Sequence, residues 1–250
     1  LNAQVELDEV YTRVQGRWLE ALALAGPDEE RARVPACPQW TVRDVTAHVA
    51  GLADDAATGS MPELDLLEQW RDEEVAARRD AMTADQVERG GEESLAVIVA
   101  RWHDGTRRLA PMLRGLVPFP GSPPLGIAHV LVTDLTVHAQ DVLSALHAPQ
   151  IADGAPVAIA VATYGAGVDY RVRQLGLDAL VLGYDDKARV LGGTDGPVGA
   201  RVTAERSELL RALAGRRSRA QIAALDWQGD PEPYLAIIPA YGERDEPLED

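Results

Sequence analysis

A change of rhythm near residue 150 constrains this chain more than any other feature of its 250 residues. Before that point apolar residues return at three- and four-residue spacing over long stretches, the mark of helices with one buried face. Beyond it, short apolar runs alternate with glycine and aspartate turns, the mark of strands. The first helix is predicted over 5–25, with Val5, Leu7, Val10, Val14, Trp18, Leu22 and Leu24 as its stripe and Gly26-Pro27 as its stop. A second runs from Thr41 to about Ala57, ahead of Gly59. Thr41 and Asp44 form a capping box there, and Trp40 can staple onto Val45. The charged stretch 63–80 reads as a solvated helix, and further helices are predicted near 92–114 and 125–147. Pro118, Pro120, Pro123 and Pro124 link those two, and Pro149 follows the last.

The remainder opens with a small-residue helix at about 154–175. Strands follow at Ala179–Tyr184, Ala188–Leu191 and Ala200–Thr203, divided by Asp185-Asp186 and Gly192-Gly193, then a helix from Ser207 to Ala214. The fold class is therefore α+β: a four-helix bundle over residues 1–150, then a smaller α/β domain over 151–250.

Charge narrows the partners. A formal charge of −16 repels nucleic acid and anionic membrane surfaces, and no basic stretch is long enough to override it. No apolar run is long enough for a membrane span, and the first residues lack the basic-then-apolar order of a signal peptide. Cys37, the single cysteine, excludes an internal disulfide and suits the reducing cytoplasm. A small molecule is the expected partner.

Within the bundle, His48 shares a stripe with Val45, Val49 and Leu52, so its imidazole is carried inward and needs partners for both nitrogens. The 125–147 helix resolves into three stripes. Ala128, Val132, Leu135, Ala139, Val142 and Leu146 are apolar. His129, Thr133, Thr136, Gln140, Ser144 and His147 are mildly polar and read as the solvent side. Asp134, His138 and Asp141, at i, i+4 and i+7, project together and are bordered by Ile127, Val130, Leu131 and Val137. Charged groups ringed by apolar ones line a polar cavity more readily than a surface. Histidines and carboxylates from different helices are how bundles build metal centres, so His48, Asp134 and His138 are the candidate ligands. The plainer alternatives are a satisfied core histidine at 48 and a surface ion pair between Asp134 and His138. His103, His129 and His147 receive no role, and Cys37 reads as structural.

The text from Val34-Pro35-Ala36-Cys37-Pro38-Gln39-Trp40-Thr41 through Asp44-Val45-Thr46-Ala47-His48-Val49 resembles the signature opening the second helix in the mycothiol-dependent maleylpyruvate isomerase family, of the DinB-like superfamily. Asp134-Leu135-Thr136-Val137-His138-Ala139-Gln140-Asp141 is similar to that family's second signature, and the text from Val202 to Arg216 to its smaller C-terminal domain. The resemblance implies a DinB-like bundle with a divalent metal, zinc foremost, on His48, His138 and the carboxylate at 134. The family's glutamate falls on Asp134, which is shorter by one methylene, roughly 1.5 Å of reach.

The resemblance further implies a low-molecular-weight thiol such as mycothiol, activated as a thiolate beside the metal, in an isomerase or transferase. A hydrolase using metal-bound water, or a non-catalytic binding protein with a decayed site, are the alternative readings. Asp141 is expected either behind the ligands, accepting a hydrogen bond from a nearby donor or a helix terminus without touching metal, or as a structural buried aspartate. Arg216 is expected to grip a substrate carboxylate over the mouth of the bundle, with Arg217 serving the dipole of the preceding helix.

Overall fold

The computed structural model describes residues 6–62, 71–91, 93–152 and 154–248, which divide into two compact units. Val5 and residues 63–70 of the expected helices lie outside the described residues. The first unit draws on Leu1–Asp65 and Glu73–Ile151, the second on Leu66–Asp72 and Ala152–Asp250.

In the first unit α1 (Leu7–Leu22) is followed by the single turn α2 (Pro27–Glu30) and a two-stranded ribbon of β1 (Arg33–Val34) and β2 (Cys37–Thr41). The ribbon was not expected, because Pro35 and Pro38 break any alternation a strand would show. It leads into α3 (Val42–Thr58), where the Thr41 hydroxyl accepts from the Asp44 amide and the Asp44 carboxylate accepts from the Thr41 amide. Gly59, at φ 77°, ends that helix in the left-handed region a glycine adopts without strain. Helices α4 (Glu73–Arg89), α5 (Leu95–Leu113) and α6 (Ile127–Ala145) complete the unit. Helix α1 packs on α5 and α6, and α3 packs on α4, α5 and α6. Trp18 and Trp102 meet edge to face at the centre of this bundle, ring centroids 5.2 Å apart.

Three expectations need correction. The first helix stops at Leu22, and Leu24, assigned to the buried stripe, is 90% exposed. The charged helix runs on to Arg89 and is not wholly solvated, because Val75 and Gln86 are buried. The supposed solvent stripe of α6 is largely interior. Thr133, Thr136 and Gln140 are all buried, because α1, α3 and β1 pack around this helix. Buried polar groups survive by finding partners. The Thr136 hydroxyl donates to the Val132 carbonyl at 2.6 Å, and the Gln140 amide to the Ile151 carbonyl at 2.8 Å.

The second unit is built on a four-stranded sheet. Helix α7 (Ala155–Gln174) precedes β3 (Ala179–Tyr184), β4 (Lys187–Leu191) and β5 (Val198–Thr203), followed by α8 (Arg206–Leu213), α9 (Arg219–Ala223), β6 (Asp226–Gly229) and α10 (Glu232–Leu235). The order is β4-β3-β5-β6, with β3 and β5 parallel and the other pairs antiparallel. Asp185 and Asp186 both have positive φ, the two-residue turn that a twisted hairpin requires. Gly192 has φ 94° and its amide donates to Asp169, while an added Cβ would lie 2.3 Å from Val172 Cγ1. Gly192→Ala is therefore expected to destabilise this unit by about 2–4 kcal/mol through backbone strain and overpacking. Urea unfolding checks this; an unchanged midpoint would refute it. Among the described residues no helix is long and apolar enough to cross a membrane.

Candidate metal centre

The capping box fixes where α3 begins, and hence which residues turn inward. Val45, Val49 and Leu52 enter the core and His48 goes with them, its side chain 5% exposed. From α6, Asp134 and His138 face the same point. His48 Nε2 lies 3.5 Å from Asp134 Oδ2, and His138 Nε2 lies 3.8 Å from Asp134 Oδ1. The two imidazoles stand edge to face with centroids 5.1 Å apart. One ligand atom from each of the three residues lies within 4.8 Å of the others. Tetrahedral zinc with bonds near 2.1 Å holds its ligand atoms about 3.4 Å apart, so the donor set fits a divalent cation with modest contraction. Asp134, short as its side chain is, faces both imidazoles.

Asp141 lies behind His138. Its carboxylate is fully buried, with Oδ2 3.3 Å from His138 Nδ1. Burial opposes a charge on the His138 ring, but Asp134, Asp141 and Cys37 outweigh it and raise the imidazole to about 10.

Three further residues reach the site that sequence reasoning did not place there. Trp40, expected as a staple, brings its ring centroid within 5.5 Å of His48 and 6.3 Å of His138. Cys37, expected to be merely structural, has its Sγ 3.8 Å from Asp141 Oδ2, and Cys37, His138 and Asp141 form a second grouping of ligand type. Gln86 comes from α4, and its Oε1 lies 2.7 Å from His48 Nδ1. A usable signal existed for Gln86 in His48, Gly51 and Asp55, spaced i, i+3 and i+7 on one face of α3. Below Asp134 the buried Tyr11 hydroxyl accepts from the Trp102 indole, and burial and then the charge of Asp134 raise its pKa.

His103, His129 and His147 are exposed. Arg216 and Arg217 belong to the second unit. Arg216 is buried, donates to the Ala214 carbonyl at 2.8 Å and lies over the Tyr241 ring. Arg217 grips both oxygens of Glu208 at 2.6 and 2.9 Å, so its fork is occupied by an ion pair beyond the dipole role expected of it.

The fold and the site define a helical bundle whose two inward histidines and carboxylate could together hold a metal ion. The chain belongs to the mycothiol maleylpyruvate isomerase family, whose N-terminal domain matches residues 11–143. Two solved structures share the fold. The crystal structure of a mutant mycothiol-dependent maleylpyruvate isomerase aligns at TM-score 0.58 and 15% identity, covering 89% of this chain and 92% of that one. Another crystal structure of a mycothiol-dependent maleylpyruvate isomerase aligns at TM-score 0.50 and 16% identity, covering 84% and 88%. No protein of curated function matches the chain by sequence.

Proposed function

We propose that this protein is a metal-dependent enzyme that uses mycothiol, or a thiol like it, to isomerise or conjugate a small, electrophilic, anionic substrate. The observation that carries the reading is the convergence of buried His48 with half-buried Asp134 and His138 in a chain of this family. His48 and His138 would hold a divalent ion, zinc foremost, through Nε2, and Asp134 through its carboxylate. The ion supplies a positive charge that favours the thiolate form of a thiol beside it. Asp141 holds the His138 ring in place at Nδ1, and the Trp40 ring lies tilted against both imidazoles. A thiolate adding to an activated double bond leaves a single bond free to rotate. Elimination then gives the isomer, whereas retention of sulfur gives a conjugate.

Arg216 is the proposed grip for the substrate's carboxylate. Its guanidinium is already held by the Ala214 carbonyl and the Tyr241 ring, so little side-chain freedom is lost on binding. The test is turnover of maleylpyruvate and related unsaturated acids by zinc-loaded protein, with and without mycothiol. Thiol-dependent turnover is expected, with KM raised about tenfold or more in Arg216→Ala for loss of a charge-assisted bond. Metal content should not change in that variant. Turnover that proceeds equally without thiol would overturn the reading in favour of hydrolysis.

A further inference from the structure

Helix α4 contributes a polar relay that ends on His48. Gln86 is completely buried, so both ends of its amide need partners. Its Nε2 lies 2.7 Å from Asp55 Oδ2, and its Oε1 lies 2.7 Å from His48 Nδ1. Asp55 is itself buried and is held by Arg89, whose Nη2 reaches both carboxylate oxygens at 2.9 and 2.8 Å. Arg89 also pairs with Asp85 at 2.9 Å, one turn earlier on α4.

The chemistry of each partner fixes the direction of every bond. Paired with Arg89, Asp55 is an ionised carboxylate that only accepts, so the nitrogen of Gln86 must face it. The oxygen of Gln86 must then face His48, and a carbonyl oxygen only accepts. His48 Nδ1 is therefore the nitrogen that carries hydrogen. In the neutral ring this leaves the lone pair on Nε2, the atom that faces Asp134. A lone pair and a carboxylate oxygen 3.5 Å apart repel unless a cation lies between them.

We infer that Gln86, held by Asp55 and Arg89, is the positioning residue that locks His48 into its Nδ1–H tautomer and so presents Nε2 to a metal. The inference rests on the metal reading above and deepens it. Backbone packing supports it independently. A Cβ at Gly51 would lie 2.9 Å from both Cβ and Cγ of Gln86, so the glycine between His48 and Asp55 on α3 is what admits the Gln86 stem. His138 has its own support in Asp141 of the same helix, and the two imidazoles are thus held by different chemistry.

The experiment combines two readouts. Long-range nitrogen–proton correlation on metal-free protein reports the tautomer of His48, and titration with Co2+ or Zn2+ reports affinity. In Gln86→Leu the Nδ1–H preference should be lost, and affinity should fall by about ten- to hundred-fold, the usual effect of losing a partner behind a metal-binding histidine. Gly51→Ala, a change that favours the helix itself, should displace Gln86 and act in the same direction. The double variant Gln86→Glu with Asp55→Asn exchanges donor and acceptor along the relay while keeping an acceptor on Nδ1. It should restore both readouts, which a merely space-filling role would not predict.

An unchanged tautomer and affinity in folded Gln86→Leu, or in Gly51→Ala if the former does not fold, overturns the proposal. If wild-type protein takes up no metal yet loses the tautomer in Gln86→Leu, the metal reading fails and the lock stands.

Discussion

His138→Ala is expected to abolish stoichiometric uptake of divalent metal and thiol-dependent turnover together. The substitution removes the group that both carboxylates address. Asp134 faces Nε2 at 3.8 Å and Asp141 faces Nδ1 at 3.3 Å. Loss of a partner behind a ligand costs about ten- to hundred-fold in affinity, so loss of the ligand itself must cost more. His129 lies on the same helix but is exposed, so His129→Ala should leave metal content and turnover as they were. Metal analysis of dialysed protein, paired with calorimetric titration, checks both variants. Equal metal content in His138→Ala and wild type would remove the site from the proposal.

Much of the bundle was legible because its signals are local. Thr41 and Asp44 state where α3 starts, and everything about His48 follows from that phase. Asp185-Asp186 states a hairpin in the same way. The inward aim of Asp134, His138 and Asp141 could be read because their spacing and apolar neighbours agree. What could not be read depends on which elements lie beside a helix. Thr133, Thr136 and Gln140 have the polarity of a solvent face, yet α6 is surrounded and two of them are satisfied by nearby carbonyls. Periodicity reports polarity, and polarity stands for exposure only when a helix has a wet side.

The same gap hid part of the support around the candidate metal centre. Gln86 belongs to a strongly charged helix, and nothing in its own segment marks it as the buried position. Its role appears only when α4 is laid along Gly51 of α3. Strand β6 escaped for a different reason. Asp226-Trp227-Gln228-Gly229 lacks the apolar alternation of a half-buried strand, as an edge strand paired only to β5 allows.

Trp102→Ala should produce the largest loss of stability, about 3–5 kcal/mol for removing a large buried aromatic ring. Native domains are stable by only about 5–15 kcal/mol, so this single change consumes a large part of the whole. Trp102 is fully buried on α5 and meets Trp18 of α1 edge to face, 5.2 Å between centroids and 76° between planes. The contact is worth more than its area alone, because the positive edge of one ring meets the negative face of the other. Its indole nitrogen also donates to the Tyr11 hydroxyl at 3.3 Å, a group buried within reach of the Asp134 charge. Removing the ring leaves a void between α1 and α5 and takes a donor from that hydroxyl. Trp102→Phe separates the two effects, since it keeps most of the ring contact and removes the donor, and should cost about 1–3 kcal/mol. Val97→Ala, on the same helix but 49% exposed, should change stability by no more than about 0.5 kcal/mol. Urea unfolding followed by circular dichroism measures all three. A loss under about 1 kcal/mol in Trp102→Ala would show that the two tryptophans are not the centre of this core, because removing a large buried side chain costs several times that.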